Sequence, residues 1–127
     1  MPWLALAAIG GGAMLGAWLR WWLGLRLNPL VAAIPMGTLA ANLLGGYLVG
    51  VAVAFLAQHP ELPAEVRLAL VTGFLGGLTT FSSFSAEVVH LIQTAQYGWA
   101  VLAATMHLGG SLVMTGLGIW SVALLRG

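Results

Sequence analysis

Four stretches of this chain are long enough, apolar enough and sufficiently free of charge to cross a bilayer, and that constrains its fold more than anything else. Trp3 to Leu19 carries no charged side chain and ends at Arg20-Trp21-Trp22, an interfacial pairing of arginine with indole rings. Leu27 to Gln58 is also uncharged, with Asn28-Pro29 and Pro35 trimming its front to a helix near 34–57. Leu68 to Ala86 lies between Arg67 and Glu87. Val88 to Leu125 is too long for one crossing, and the polar turn Gln93-Thr94-Ala95-Gln96-Tyr97-Gly98 divides it. Each stretch meets the roughly 20 residues that a hydrocarbon core of about 30 Å requires. Backbone groups in hydrocarbon must bond within their own segment. The expected fold is therefore an all-α membrane domain, 1–127, with spans near 3–22, 34–57, 67–88 and 99–125.

Composition excludes several classes. The chain is 61% hydrophobic and 6% charged, whereas a soluble domain carries about a quarter charged residues. Without cysteine it has no disulfide or thiolate metal site. Four arginines, no lysine and a net charge of +1 leave no basic patch for nucleic acid. The N-terminus lacks the positive region of a cleaved signal and is expected to remain as the first helix.

Four spans put both termini on one side, with Arg67 and Arg126, and leave Arg20 and Arg26 on the other. Two against two gives no positive-inside bias. Either a terminal charge or lipid settles the orientation, or the chain inserts both ways and copies pair antiparallel. Four helices enclose little beyond their own side chains, so a route through one copy is not expected. Small residues four apart allow close helix approach in lipid: Gly12 and Gly16, Gly37 and Ala41, Gly46 and Gly50, with Gly77 in the third span. Some of these pack within the chain, and a homodimer is expected.

Polar residues inside the spans carry the chemistry, because an unpaired polar group in hydrocarbon costs several kcal/mol. Thr38 and Asn42 share a face of helix 2, and His107, Ser111 and Thr115 repeat at four along helix 4. In the third span three glycines fall within five residues, at Gly73, Gly76 and Gly77, and Thr79-Thr80-Phe81-Ser82-Ser83-Phe84-Ser85 follows. This reads as a helix broken near Gly73–Thr79 and then resumed, with Phe81, Phe84 and Ser85 on one arc. Each residue also has a plain role: hydroxyls bond their own helix carbonyls, Asn42 clasps a neighbouring helix, His107 sits in the core and the phenyl rings pack.

Taken together, three helices present polar stripes with no carboxylate among them. Proton-coupled export needs a membrane carboxylate, and Glu87 is the one candidate, at the end of span 3. Hydrolysis lacks an acid to orient His107 toward Ser111, and zinc lacks ligands. Amide and hydroxyl donors suit an anion, as do the positive edges of Phe81 and Phe84. Arg20 either anchors helix 1 or contacts a permeant ion. Carbonyls freed at a break suit a cation.

These residues resemble the Fluc (CrcB) family of fluoride channels over essentially the whole chain. The signature G-x2-GG-x-TTFS-[ST]-FS stands as Gly73-Phe74-Leu75-Gly76-Gly77-Leu78-Thr79-Thr80-Phe81-Ser82-Ser83-Phe84-Ser85. A second, G-T-L-x2-N-x2-G, stands as Gly37-Thr38-Leu39-Ala40-Ala41-Asn42-Leu43-Leu44-Gly45, and helix 1 supplies Gly16-Ala17-Trp18-Leu19-Arg20. The resemblance implies a non-enzymatic channel in a bacterial-type cytoplasmic (inner) membrane that lets fluoride leave the cell passively. It implies an antiparallel dual-topology homodimer with two pores and a structural Na⁺ at its centre, held by the carbonyls of Gly76 and Thr79. Phe81 and Phe84 would line fluoride positions, Asn42 would be the pore amide and Thr38 its neighbour. Ser82, Ser83, Ser85, Ser111 and Thr115 would form a polar track, with Glu87 at a mouth and Arg20 at a vestibule. The resemblance assigns no role to His107. A small dual-topology drug or cation exporter and a non-transporting membrane scaffold are the alternatives.

Overall fold

The computed structural model describes residues 2–126; Met1 and Gly127, the ends of the expected domain, lie outside the described residues. The chain is all-helical, with four helical spans long and apolar enough to cross a membrane: Pro2–Leu30, Met36–Gln58, Ala64–Gln93 and Tyr97–Arg126. Helix α1 (Pro2–Leu27) runs into a 3-10 turn at Asn28–Leu30, where Pro29 disfavours continued α geometry for the residue before it. The carboxamide of Asn28 then turns back to cap α2 (Met36–Gln58). Its Oδ1 accepts the N–H groups of Gly37 and Thr38 at 2.7 and 3.3 Å, because Pro35 at the N-cap has no side chain to do so.

The third span is composite. Helix α3 (Ala64–Arg67) widens into π-helix over Leu68–Leu75, narrows to α4 (Gly76–Leu78), opens at Thr79 and Thr80, and resumes as α5 (Phe81–Gln93). The glycines therefore do not break the helix. Gly73, Gly76 and Gly77 keep helical geometry, and the interruption is the two extended threonines (Thr79 φ −88, ψ 155; Thr80 φ −150, ψ 116). A bilayer offers no competing water, so glycine is tolerated inside a span. Two adjacent β-branched residues favour extended backbone.

The fourth span is α6 (Tyr97–Arg126), reached through a tight turn. Ala95 stands there with φ +58, its N–H donating to Ile92 and that of Gln96 to Leu91, a Schellman closure with alanine where glycine is usual. α2 packs chiefly on α6, and α1 on the π segment and α4. The small residues serve these contacts. A Cβ at Gly16 would meet the Phe74 carbonyl and sit 2.7 Å from the Leu78 nitrogen, and one at Gly118 would lie 2.9 Å from the Val51 nitrogen. The Gly12/Gly16 and Gly46/Gly50 pairs are thus used within the chain. One core cluster, Ala41, Leu75 and Leu78, lies directly behind the break, and a second, Ile34, Leu91, Ala100 and Ala103, closes the end beside the first and third loops.

Candidate functional site around the Thr79–Thr80 break

An interrupted helix in lipid must find partners for its freed backbone groups, and α2 supplies them for both polar groups of Thr80. Asn42 Oδ1 accepts the Thr80 N–H at 2.8 Å, and Asn42 Nδ2 donates to the Thr80 carbonyl at 3.1 Å. One turn along, Gly45 leaves room for the Thr79 methyl, which would collide with any Cβ there. The Asn-x2-Gly spacing of α2 is thus a socket for the break. Thr79 folds its own hydroxyl and N–H back onto the Leu75 carbonyl at 2.8 and 3.0 Å. Thr80 is the N-cap of α5, its Oγ1 accepting the Ser83 N–H at 3.1 Å.

These diversions release specific carbonyls. The Thr80 N–H goes to Asn42 instead of its helical partner, the Gly76 carbonyl, and the Ser83 N–H goes to Thr80 Oγ1 instead of the Thr79 carbonyl. The Gly77 carbonyl is taken by Arg20, whose Nε–H donates to it at 3.0 Å across 57 positions of sequence. Arg20 therefore reaches the break itself, where a cation meets the negative end of α4.

Beside the break lies an open groove of about 430 Å³. It brings together Asn42, Phe81, Phe84, His107, Ser111 and Thr115 among the residues singled out in the sequence, and Gly76 and Thr79 also line it. Phe81 and Phe84 meet edge to face, centroids 5.5 Å apart at 73°, and Phe84 lies against the His107 ring at 4.6 Å. Thr115 Oγ1 spans the Gly46 carbonyl at 2.9 Å and the Ser111 carbonyl at 3.0 Å, tying α2 to α6. Ser82 and Ser85 are exposed on α5 and do not line this groove, and Ser83 is half-buried. Thr38 is buried and faces the Glu87 carboxyl. Glu87 lines a separate cavity of about 280 Å³ with His90 and Pro35. Among the described residues no group of three His, Cys, Asp or Glu side chains is placed to hold a metal ion.

Two residues named in the sequence without a site role prove to be participants. Thr80 carries the cap, accepting the backbone N–H of Ser83, and its signal was present: a threonine directly ahead of a resumed helix. His107 is the other, since its Nδ1 lies 2.9 Å from Asn42 Nδ2 in the groove wall. Nothing in spacing alone separates that role from a packed core histidine.

A four-span bundle built on a broken third helix, with a largely apolar groove that holds a few polar groups and no carboxylate beside the break, is a multi-pass membrane protein. Residues 7–119 match the family described as "CrcB-like protein, Camphor Resistance (CrcB)". The chain is 62% identical over 122 residues to the "Fluoride-specific ion channel FluC" of Bordetella bronchiseptica, covering 96% of this chain and 94% of that one. It is 60% identical over 118 residues to that of Nitrosospira multiformis (93% and 92% covered) and 55% over 125 residues to that of Pseudomonas aeruginosa (98% of each). The relatives are named as channels, not enzymes. The chain belongs to the CrcB family.

Proposed function

We propose that this chain is a fluoride-selective channel that exports fluoride passively from the cytoplasm across a bacterial-type inner membrane, so lowering its concentration in the cell. The observation that carries the proposal is the match, over nearly the full chain, to relatives named as fluoride-specific channels, on a fold whose broken third helix flanks a groove without carboxylates. Fluoride is small and strongly hydrated, so a selective path must replace water donors at close range. In this reading Phe81 and Phe84 offer ring edges. Ser111, Thr115, Ser82, Ser83 and Ser85 supply the polar track, with Thr38 and Glu87 toward a mouth and Arg20 toward a vestibule.

The working unit is an antiparallel dual-topology homodimer. Two arginines at each end favour neither orientation. Gly76, Ser82, Ser85 and Phe81, which is 78% exposed, form a face unlike a plain lipid surface. A second copy on that face buries it. The Gly76 and Thr79 carbonyls, released from helix bonding, suit a hard cation without an acidic side chain, which supports the pair from each subunit as the holders of a structural Na⁺ at the dimer centre. When bound, the ion supplies fixed positive charge between the broken helices.

An exporter driven by protons would need a titratable carboxylate in the groove, and Glu87 lines the other cavity. Expression in a bacterium stripped of its fluoride exporters tests the proposal: growth in millimolar-range fluoride returns with the wild-type gene and not with Phe81→Ile. Equal growth with empty vector and wild type contradicts it.

A further inference from the structure

The Asn42 amide has no freedom left. The Thr80 N–H must face an oxygen and the Thr80 carbonyl must face a donor, so the peptide fixes which end of the amide is which. The remaining Nδ2 hydrogen goes to His107 Nδ1 at 2.9 Å. A ring nitrogen that accepts carries no proton, so the neutral imidazole bears its proton on Nε2. That Nε2 is buried and has no hydrogen-bond partner among the described residues, on a side chain only 4% exposed. Buried donors are nearly always paired, and an orphan in a groove wall calls for an acceptor that arrives from outside the chain.

We propose that the Nε2–H of His107 is an anion-binding donor of this groove, held in the donating tautomer by the Thr80–Asn42–His107 chain. The ligand class is a small, hard, desolvated monovalent anion, fluoride if the function proposed above holds, on which the identity of the ion rests. The groove contains no carboxylate to repel such an ion. Asn42 can reach an anion only by giving up a bond to Thr80 or His107, whereas His107 gives up nothing. Phe84 against the imidazole face fixes the ring plane, so the donor is aimed before the ion arrives. The polar peptide at the break is thereby read out on a different helix, 27 positions further along the chain (107 − 80).

The test uses purified wild-type protein labelled with ¹⁵N-histidine, with His59 and His90, neither of which lines the groove, as internal references. Without fluoride the His107 nitrogens should report a proton on Nε2 and none on Nδ1. Sodium fluoride should shift the Nε2–H resonance while leaving the references in place, and sodium chloride at equal concentration should not. A proton on Nδ1, or a His107 signal indifferent to fluoride, overturns the inference; indifference with a paired Nε2–H signature assigns the donor to a group of a second copy. In liposomes His107→Phe, which keeps a ring against Phe84 but no donor, should lower fluoride efflux at least about tenfold. His107→Gln, able to accept from Asn42 and donate onward, should stay within a few-fold of wild type. Wild-type efflux from His107→Phe contradicts the proposal. Should wild-type protein release no fluoride at all, the channel reading fails, and the labelled titration still decides whether His107 binds the ion.

Discussion

Asn42 spans 38 positions of sequence to bond both polar groups of the Thr80 peptide, and a third bond joins it to His107. In Asn42→Asp one carboxylate oxygen would keep the Thr80 N–H, and the other, in place of Nδ2, would set an acceptor against both the Thr80 carbonyl and His107 Nδ1. Each buried group left unpaired costs about 1–3 kcal/mol, so fluoride flux into an electrode-monitored bath should fall at least roughly 100-fold. Thr80→Val removes the cap of α5 while keeping the β-branched shape, and it should lower stability by about 1 kcal/mol in denaturant titrations. The sequence marks Asn42 plainly, because an amide inside an apolar span needs a partner. It does not name the partner. The bond runs to a backbone peptide exposed only where the third helix opens, and no pattern of side-chain types encodes which carbonyl that is. His107 stayed ambiguous for the same reason, since its tautomer follows from Asn42.

Glycine-rich helices in lipid pack before they break, and the third span shows why the distinction is hard to read. Gly73 and Gly77 face α1 backbone at distances no Cβ would permit, while the interruption falls on Thr79 and Thr80. Both readings use the same letters; what separates them is the neighbouring helix, which sequence spacing along one span does not contain. Two glycines of α1 should behave differently. Gly16→Ala pushes a methyl into the Phe74 carbonyl and should cost about 1–3 kcal/mol, whereas a Cβ at Gly10 meets nothing within reach and Gly10→Ala should stay within about 0.5 kcal/mol. At the α5–α6 turn the direction reverses. Ala95 holds a left-handed conformation, and Ala95→Gly should raise stability by about 0.5–1 kcal/mol, read from the unfolding midpoint in detergent. That turn was expected from its polar letters, but its alanine pivot was not, because the Leu91 and Ile92 carbonyls choose the geometry.

The whole molecule was legible in outline because long uncharged runs delimit it and four crossings follow, although Arg20 and Glu87, read as marking span ends, lie inside the helical spans Pro2–Leu30 and Ala64–Gln93. What lies between copies is not written in the same way, since the small-residue motifs that invite a dimer are consumed inside one chain. The exposed face around Phe81 and the even arginine balance are the remaining grounds for an antiparallel pair. A cysteine placed after Arg126 and labelled with an impermeant reagent should react in two populations, one from each side of the membrane; modification from a single side contradicts dual insertion. Selectivity is the central claim, and efflux tests it most directly. Liposomes loaded with equal fluoride and chloride and carrying the purified protein should empty of fluoride while holding chloride, with ion-selective electrodes following both. Retention of both ions, or loss of both together, would contradict the account.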